Sequence, residues 1–183
     1  LTLRQDTLLS GKIAAELLSH FPGPVAIMIG NRRVVDHEEK LRGFRAEASR
    51  RGMTIAEVCE HEDDEALGYS LTCRLFQEHP EVRGVYVATD NFRGVFRGLK
   101  KQGEAGRAKV VATGLFPEIR AAMDLGLVHF SLDQRMAEQG EMAVHHLHDL
   151  LSGSRPKSPK ILVPPRIAVR SNLDPPHSPL PEK

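Results

Sequence analysis

GVYVATDNFRGVFRGLKKQG, residues 84 to 103, decides how the rest of the chain is read. Its first six residues form a short β-branched and aromatic run, Asp90 and Asn91 interrupt it, and an amphipathic stretch over 91 to 102 then closes on Gly103. An apolar strand, polar side chains at its end and a helix stopped by glycine make one strand–helix unit of a parallel sheet. The unit recurs. PVAIMIG (24 to 30) precedes a helical stretch at 35 to 51, MTIAEVC (53 to 59) precedes 64 to 79, KVVATG (109 to 114) precedes 117 to 125, and LVHFSL (127 to 132) supplies a fifth strand. ILVPPRIAVR (161 to 170) reads as a broken edge strand, since two central prolines cannot donate to a ladder. Right-handed crossovers place the helices on both faces, so the expected fold is α/β, a three-layer arrangement around a mostly parallel sheet.

Two more helical stretches fit that scheme less well. TLLSGKIAAELLSHF (7 to 21) carries Leu8, Ile13, Leu17 and Leu18 on a stripe, and AEQGEMAVHHLHDLL (137 to 151) carries Met142, Val144, Leu147 and Leu151. Neither lies between two strands of the sheet, so both are expected to bury their stripes against some other surface. The tail, 171 to 183, is rich in proline and polar residues and reads as flexible.

Composition narrows the function. With 183 residues, 40% hydrophobic, the chain is long enough for one ordinary domain with a true core. A net charge of +1, with both signs scattered, gives no basic face for nucleic acid and no excess for a membrane surface. No apolar run approaches the roughly 20 residues of a membrane span, and LTLRQD at the start lacks the regions of a signal peptide. The expected location is cytoplasmic, and the two cysteines, Cys59 and Cys73, make no disulfide scaffold.

In an open α/β sheet the ligand lies beyond the carboxyl ends of the strands. The residues there are Asp36 and Lys40, His61 to Asp64, Thr89 to Asn91, Gly114, and Asp133 with Gln134. Such a set of donors and acceptors suits a molecule with many hydroxyls. Plainer readings stand beside this one. Glu38 and Glu39 suit the first turn of a helix through its dipole. In HEDDE (61 to 65), Asp63 or Asp64 is a natural N-cap, which outweighs a metal site. His145 and His148 share a helical face but do not close a zinc site, and no metal or cofactor is expected. Gly30 and Asn31 lack the spacing of a phosphate loop, and Ser10 and Ser131 lack a nucleophile elbow.

The order of these pieces resembles the effector-binding domain of the lactose-repressor family, which shares its fold with ribose-binding and other periplasmic sugar-binding proteins. The resemblance is carried by DTLLSGKIAAELL, by VAIMIG followed by EEKLRGFRAE with its cation ahead of a glycine–aromatic pair, by GVYVATDNFRGVFRGLKKQG, by VVATGLFPEIRAAMDLGLVHFSLDQ, and by the IAVRSNL ending. It implies a periplasmic-binding-protein type I lobe, with residues 22 to 132 as the distal ligand-binding lobe. It assigns 1 to 21 to the proximal lobe, 133 to 153 to a hinge crossing and a proximal-lobe helix, and 154 to 170 to a return strand. The same resemblance implies ligand contacts by Asp36, Lys40, Asp63, Thr89, Asp90 and Gln134. One departure stands out: where relatives place an aspartate after the fourth strand, this chain has Gly114.

The function that follows is the effector-binding region of a transcriptional repressor, taking a small polyhydroxylated effector, with a homodimer expected and DNA reached only through a separate N-terminal domain. The alternative is a periplasmic sugar receptor of a transporter, against which the missing leader and the repressor-like ending weigh. A small α/β enzyme using Asp90 or His61 as base ranks below both, because no partner for such a base is visible.

Overall fold

The computed structural model describes residues 2–103, 107–153 and 160–173. The five predicted strands all form, and they join one sheet. β2 (Val25–Ile29) and β4 (Gly84–Val87) are buried at every position, as central strands covered on both faces must be. The sheet runs β3 (Ile55–Glu60), β2, β4, β5 (Lys109–Thr113), β6 (Phe130–Asp133) and β8 (Arg166–Ala168). Its first five strands are parallel, and β8 closes the edge antiparallel to β6. The chain leaves β2 in one direction to form β3 and returns on the other side to form β4, so the carboxyl ends of β2 and β4 flank the crevice where the order reverses.

Two apolar clusters cover the two faces. On one, Ile27, Ile29, Tyr86 and Val111 meet Leu41 and Phe44 of α2 (Val35–Arg50), with the Phe44 and Tyr86 rings stacked at 5.6 Å. On the other, Met28, Val85, Val87 and Val110 meet side chains of α3 (Glu65–Glu78), α4 (Arg93–Lys101) and α5 (Pro117–Asp124), among them Leu75, Leu99 and Ile119. No helix among the described residues is long and apolar enough to cross a membrane.

The expectation for the helix at 7 to 21 is corrected. α1 (Thr7–Ser19) lies on the large sheet beside α2 and sends Ala14, Ala15 and Leu18 into the same core as Ile27 and Tyr86. Its buried face is Thr7, Ser10, Gly11, Ala14, Ala15 and Leu18, while Leu8, Ile13 and Leu17 are only half-buried. Small residues let two helix backbones meet. A Cβ on Gly11 would fall 2.0 Å from the Lys40 carbonyl oxygen, and one on Gly43 would fall 2.1 Å from that of Leu8. The large-sheet body therefore begins at α1, not at residue 22.

Only Thr2–Gln5 of the opening segment stands apart. These residues form β1, a strand not anticipated from the sequence, which pairs in parallel with β7 (Lys160–Val163) as a separate two-stranded sheet. The expected edge strand at 161 to 170 is thus two strands in two sheets, divided at Pro164 and Pro165. α6 (Met136–Leu151) has no buried residue, and Val144, Leu147 and Leu151 are exposed, so the stripe expected to bury against another surface meets none among the described residues. Of the tail, Arg170–Asn172 form a 3-10 turn and Leu173 packs on the core, while 174–183, like 154–159 of the return segment, lie outside the described residues.

Candidate functional site

The rim is assembled from strand ends and from the first turns of α2. Asp36 and Lys40 are one helical turn apart and share the face turned toward the ends of β2 and β4. Lys40 is 3% exposed, and its Nζ donates to the Ala88 carbonyl at 3.4 Å. Its other ammonium protons have no partner among the described residues. Burial lowers the Lys40 pKa, and the carboxylates of Asp90, Asp36 and Asp63 oppose that shift. A cation held this way is a preoriented donor.

At the end of β3 the backbone passes through the left-handed region at Glu62 and Asp63, with φ of 52° and 58°. This turns the Asp63 carboxylate inward, where it accepts from the Thr89 hydroxyl at 2.8 Å. The Thr89 hydroxyl in turn accepts from the Asn91 N–H at 3.1 Å, and the Asn91 amide donates to the Asp63 carbonyl. Asp64, not Asp63, caps α3, accepting from the Leu67 N–H at 2.7 Å. Across the crevice, the Gln134 amide donates to Asp90 at 3.1 Å, joining the ends of β4 and β6.

The six residues picked from the sequence come together. Asp36, Lys40, Asp90 and Gln134 line one cavity of about 440 Å³, and Asp63, Thr89 and Asp90 line an adjoining one of about 630 Å³. The two cavities share His37 and Asp90. His37 bridges them physically, since its Nδ1 accepts from the Asn31 N–H at 3.1 Å and lies 4.0 Å from the Asp63 carboxylate.

Several lining residues were not anticipated. Arg4 and Gln5 reach in from β1, Gln139 from α6, and Phe92 and Phe116 from the loops after β4 and β5. An aromatic directly after a strand end was the available signal for the two phenylalanines. Arg4 and Gln5 carried none, because nothing in TLRQ announces its pairing with β7. The glutamates of DHEE need a correction as well: they hold arginines instead of merely complementing a helix dipole. Glu38 pairs with Arg32 at 2.8 Å, and Glu39 takes a two-pronged pair from Arg4, both contacts at 2.8 Å, plus the Thr7 hydroxyl. Those donors, Arg4 first, hold the Glu39 carboxyl down at about 2. Arg4 also reaches Asp36 at 3.1 Å, tying the small sheet to the rim.

Among the described residues, one grouping of metal-type donors occurs, Glu57, Glu78 and His79 within 4.8 Å of one another, and it lies on β3 and α3, where Arg74 already pairs with both carboxylates. Ser131 is buried and donates to the Gly114 carbonyl, and Ser10 donates to the Asp6 carbonyl at 2.9 Å, so both hydroxyls serve the backbone.

Comparison with known proteins agrees with this architecture. The chain is 23% identical over 137 residues to a D-ribose/D-allose-binding protein of Pseudomonas aeruginosa, a stretch covering 74% of this chain and 43% of that protein. It superposes on the crystal structure of a periplasmic ribose ABC transporter protein from Conexibacter woesei with a TM-score of 0.85 at 23% identity, over 92% of this chain and 59% of that one. It superposes equally on a solute-binding protein from Agrobacterium vitis bound with α-D-tagatopyranose, with a TM-score of 0.85 at 25% identity, covering 93% and 58%. The chain thus spans less than half of the curated relative and about three fifths of these solved structures. Residues 2–155 match the family model of the periplasmic binding protein domain, and it is to that family that this chain belongs.

Proposed function

We propose that the chain is the larger part of a sugar receptor, holding a small polyhydroxylated ligand of monosaccharide size at Asp36, Lys40, Asp63, Thr89, Asp90 and Gln134. The observation that carries the reading is Lys40, a buried ammonium with unused donors that opens into a cavity beside Asp36, Asp90 and Gln134. A charged donor deprived of water favours an occupant that supplies oxygen acceptors, and neighbouring carboxylates and amides take that occupant's hydroxyl protons. The relatives' names, a D-ribose/D-allose-binding protein and a protein bound with tagatopyranose, support a sugar.

Between the two forms of that reading, the similar proteins favour the receptor of a transporter over the effector domain of a repressor, which has the same fold and would use the same pocket. The receptor acts outside the cytoplasm and the repressor inside it. The upstream reading frame of the gene separates them, as an export segment or a helix-turn-helix. Binding itself is tested by calorimetry on the full-length product with D-ribose, D-allose and D-tagatose. Gln134→Ala is expected to weaken the bound sugar by roughly tenfold, the loss of one hydrogen bond and the release of Asp90. An unchanged affinity in a folded variant removes Gln134 from the site.

A further inference from the structure

We infer that the ligand is a deoxy sugar, which places at the end of β5 a methyl or methylene group where its parent sugar carries a hydroxyl. The inference rests on the sugar-receptor reading above and concerns one wall of the same site.

The strand ends around the rim are unequal. β3 presents Asp63, β4 presents Thr89 and Asp90, and β6 presents Asp133 and Gln134. β5 is followed by Gly114, Leu115 and Phe116, with no hydrogen-bonding side chain among them. Gly114 sits at φ +80°, and a Cβ built there would lie 2.6 Å from the Phe116 ring. The phenyl group therefore occupies the space into which a polar side chain at that position would extend. The Gly114 backbone is committed inward too, its N–H to the Leu132 carbonyl at 2.9 Å and its carbonyl to the Ser131 hydroxyl.

Phe116 is held in place from behind. Its ring stacks on Phe92 at 6.1 Å with 26° between planes, and Phe92 tilts against Phe96 at 5.0 Å. The same ring lines both the 630 Å³ cavity that contains Thr89 and Asp90 and a 260 Å³ cavity that contains Gln134. An occupant that extends from Asp90 to Thr89 and Asp63 enters the 630 Å³ cavity and meets this apolar wall there. A hydroxyl directed there gives up its bonds to water and receives none, whereas a C–H or methyl group gains contact with the ring. An apolar wall rejects an added hydroxyl by about a hundredfold at most, so the preference is real but bounded.

The test uses calorimetry on the full-length product with sugar pairs that differ by one hydroxyl: D-galactose and D-fucose, L-galactose and L-fucose, L-mannose and L-rhamnose, D-ribose and 2-deoxy-D-ribose. The expected result is a pair in which the deoxy member binds about tenfold or more tightly than its parent. Phe116→Asn, which replaces the wall with a donor and an acceptor, is expected to shrink that preference to about threefold or less. If every pair that binds favours its hydroxylated member, or if a folded Phe116→Asn keeps the full preference, the inference is overturned while the sugar reading stands. Absence of binding by every deoxy sugar of the panel overturns the inference, and absence of binding by these sugars together with D-allose and D-tagatose overturns the sugar reading as well. The wild-type comparison needs no variant and decides the matter even if Phe116→Asn does not fold.

Discussion

Replacing Lys40 with methionine separates what the ammonium does for the ligand from what it does to the fold. The methionine stem keeps most of the buried volume, and the lost group is a cation with a single internal contact of 3.4 Å. Two of its protons are left for a ligand. At about 1.5 to 3 kcal/mol for each charge-assisted bond, Lys40→Met should cost about 3 kcal/mol of binding or more, roughly a hundredfold in Kd. Stability moves the other way. Burial lowers the pKa of Lys40, so the folded protein releases this proton before the unfolded chain does at its ordinary 10.5. Between the lowered value and 10.5 the unfolded state binds more protons, and stability rises with pH across that window; below it the cost of burying the charge is present in full. Methionine has no such cost. Urea unfolding followed by circular dichroism should find Lys40→Met at least as stable as the wild type at pH 7, with any advantage fading as the pH approaches 10.5. Calorimetry on the same samples measures the loss of affinity. A variant less stable than the wild type by more than about 1 kcal/mol at pH 7 would show that the surrounding aspartates outweigh desolvation, and an affinity within about threefold of wild type would remove Lys40 from the site.

Glu39→Gln tests the tie between the small sheet and α2. The Glu39 carboxyl is held down at about 2 against an ordinary 4.5, mainly by Arg4, so its stabilisation is complete above pH 4.5 and disappears as the pH falls from 4.5 through 2. Because both partners are partly exposed, about 1 to 2 kcal/mol is expected, seen as a gap between wild type and variant near pH 6 that closes by pH 2 in acid unfolding curves. Gly11→Ala places a methyl group 2.0 Å from the Lys40 carbonyl and must push α1 from α2. Overpacking of about 1 to 3 kcal/mol should exceed the gain of about 1 kcal/mol in helix propensity, lowering the Tm and, through displacement of Lys40, the affinity. A Tm equal to or above that of wild type would show that the two helices slide apart without cost.

The parallel sheet was legible because its strands are short runs rich in apolar and β-branched residues with glycine or a polar residue after each, and VAIMI and GVYV stay buried throughout as their composition requires. The rim followed from the sheet, since a parallel strand's carboxyl end is fixed by chain direction alone, and that placed Lys40, Asp90 and Gln134 around a common cavity. α1 was misassigned for a physical reason. Ser10, Gly11, Ala14 and Ala15 carry little hydrophobic signal, yet close approach to α2 selects small residues, so the larger Leu8 and Ile13 drew the eye to the wrong stripe. β1 was hidden because Arg4 and Gln5 make a polar strand whose partners, Leu162 and Val163, lie far along the chain, a pairing only tertiary contact specifies. Phe92 and Phe116 drew no reading from the sequence, since an apolar side chain at a pocket wall has the same composition signature as one in the core.

The division of one proline-centred run between two sheets has a mechanical consequence. The polypeptide passes between the small sheet with α6 and the large sheet at Gln5 to Asp6, at Asp133 to Met136, and at Val163 to Arg166, and the first and third of these are stitched together where the Asp6 N–H donates to the Val163 carbonyl at 2.8 Å. Several straps laid side by side resist shear and extension and leave a swing about the line through them as the soft motion. Gln5 and Gln134 stand beside those straps, so a swing about them would displace these two least and would displace Asp63, beyond β3 at the opposite edge of the large sheet, more.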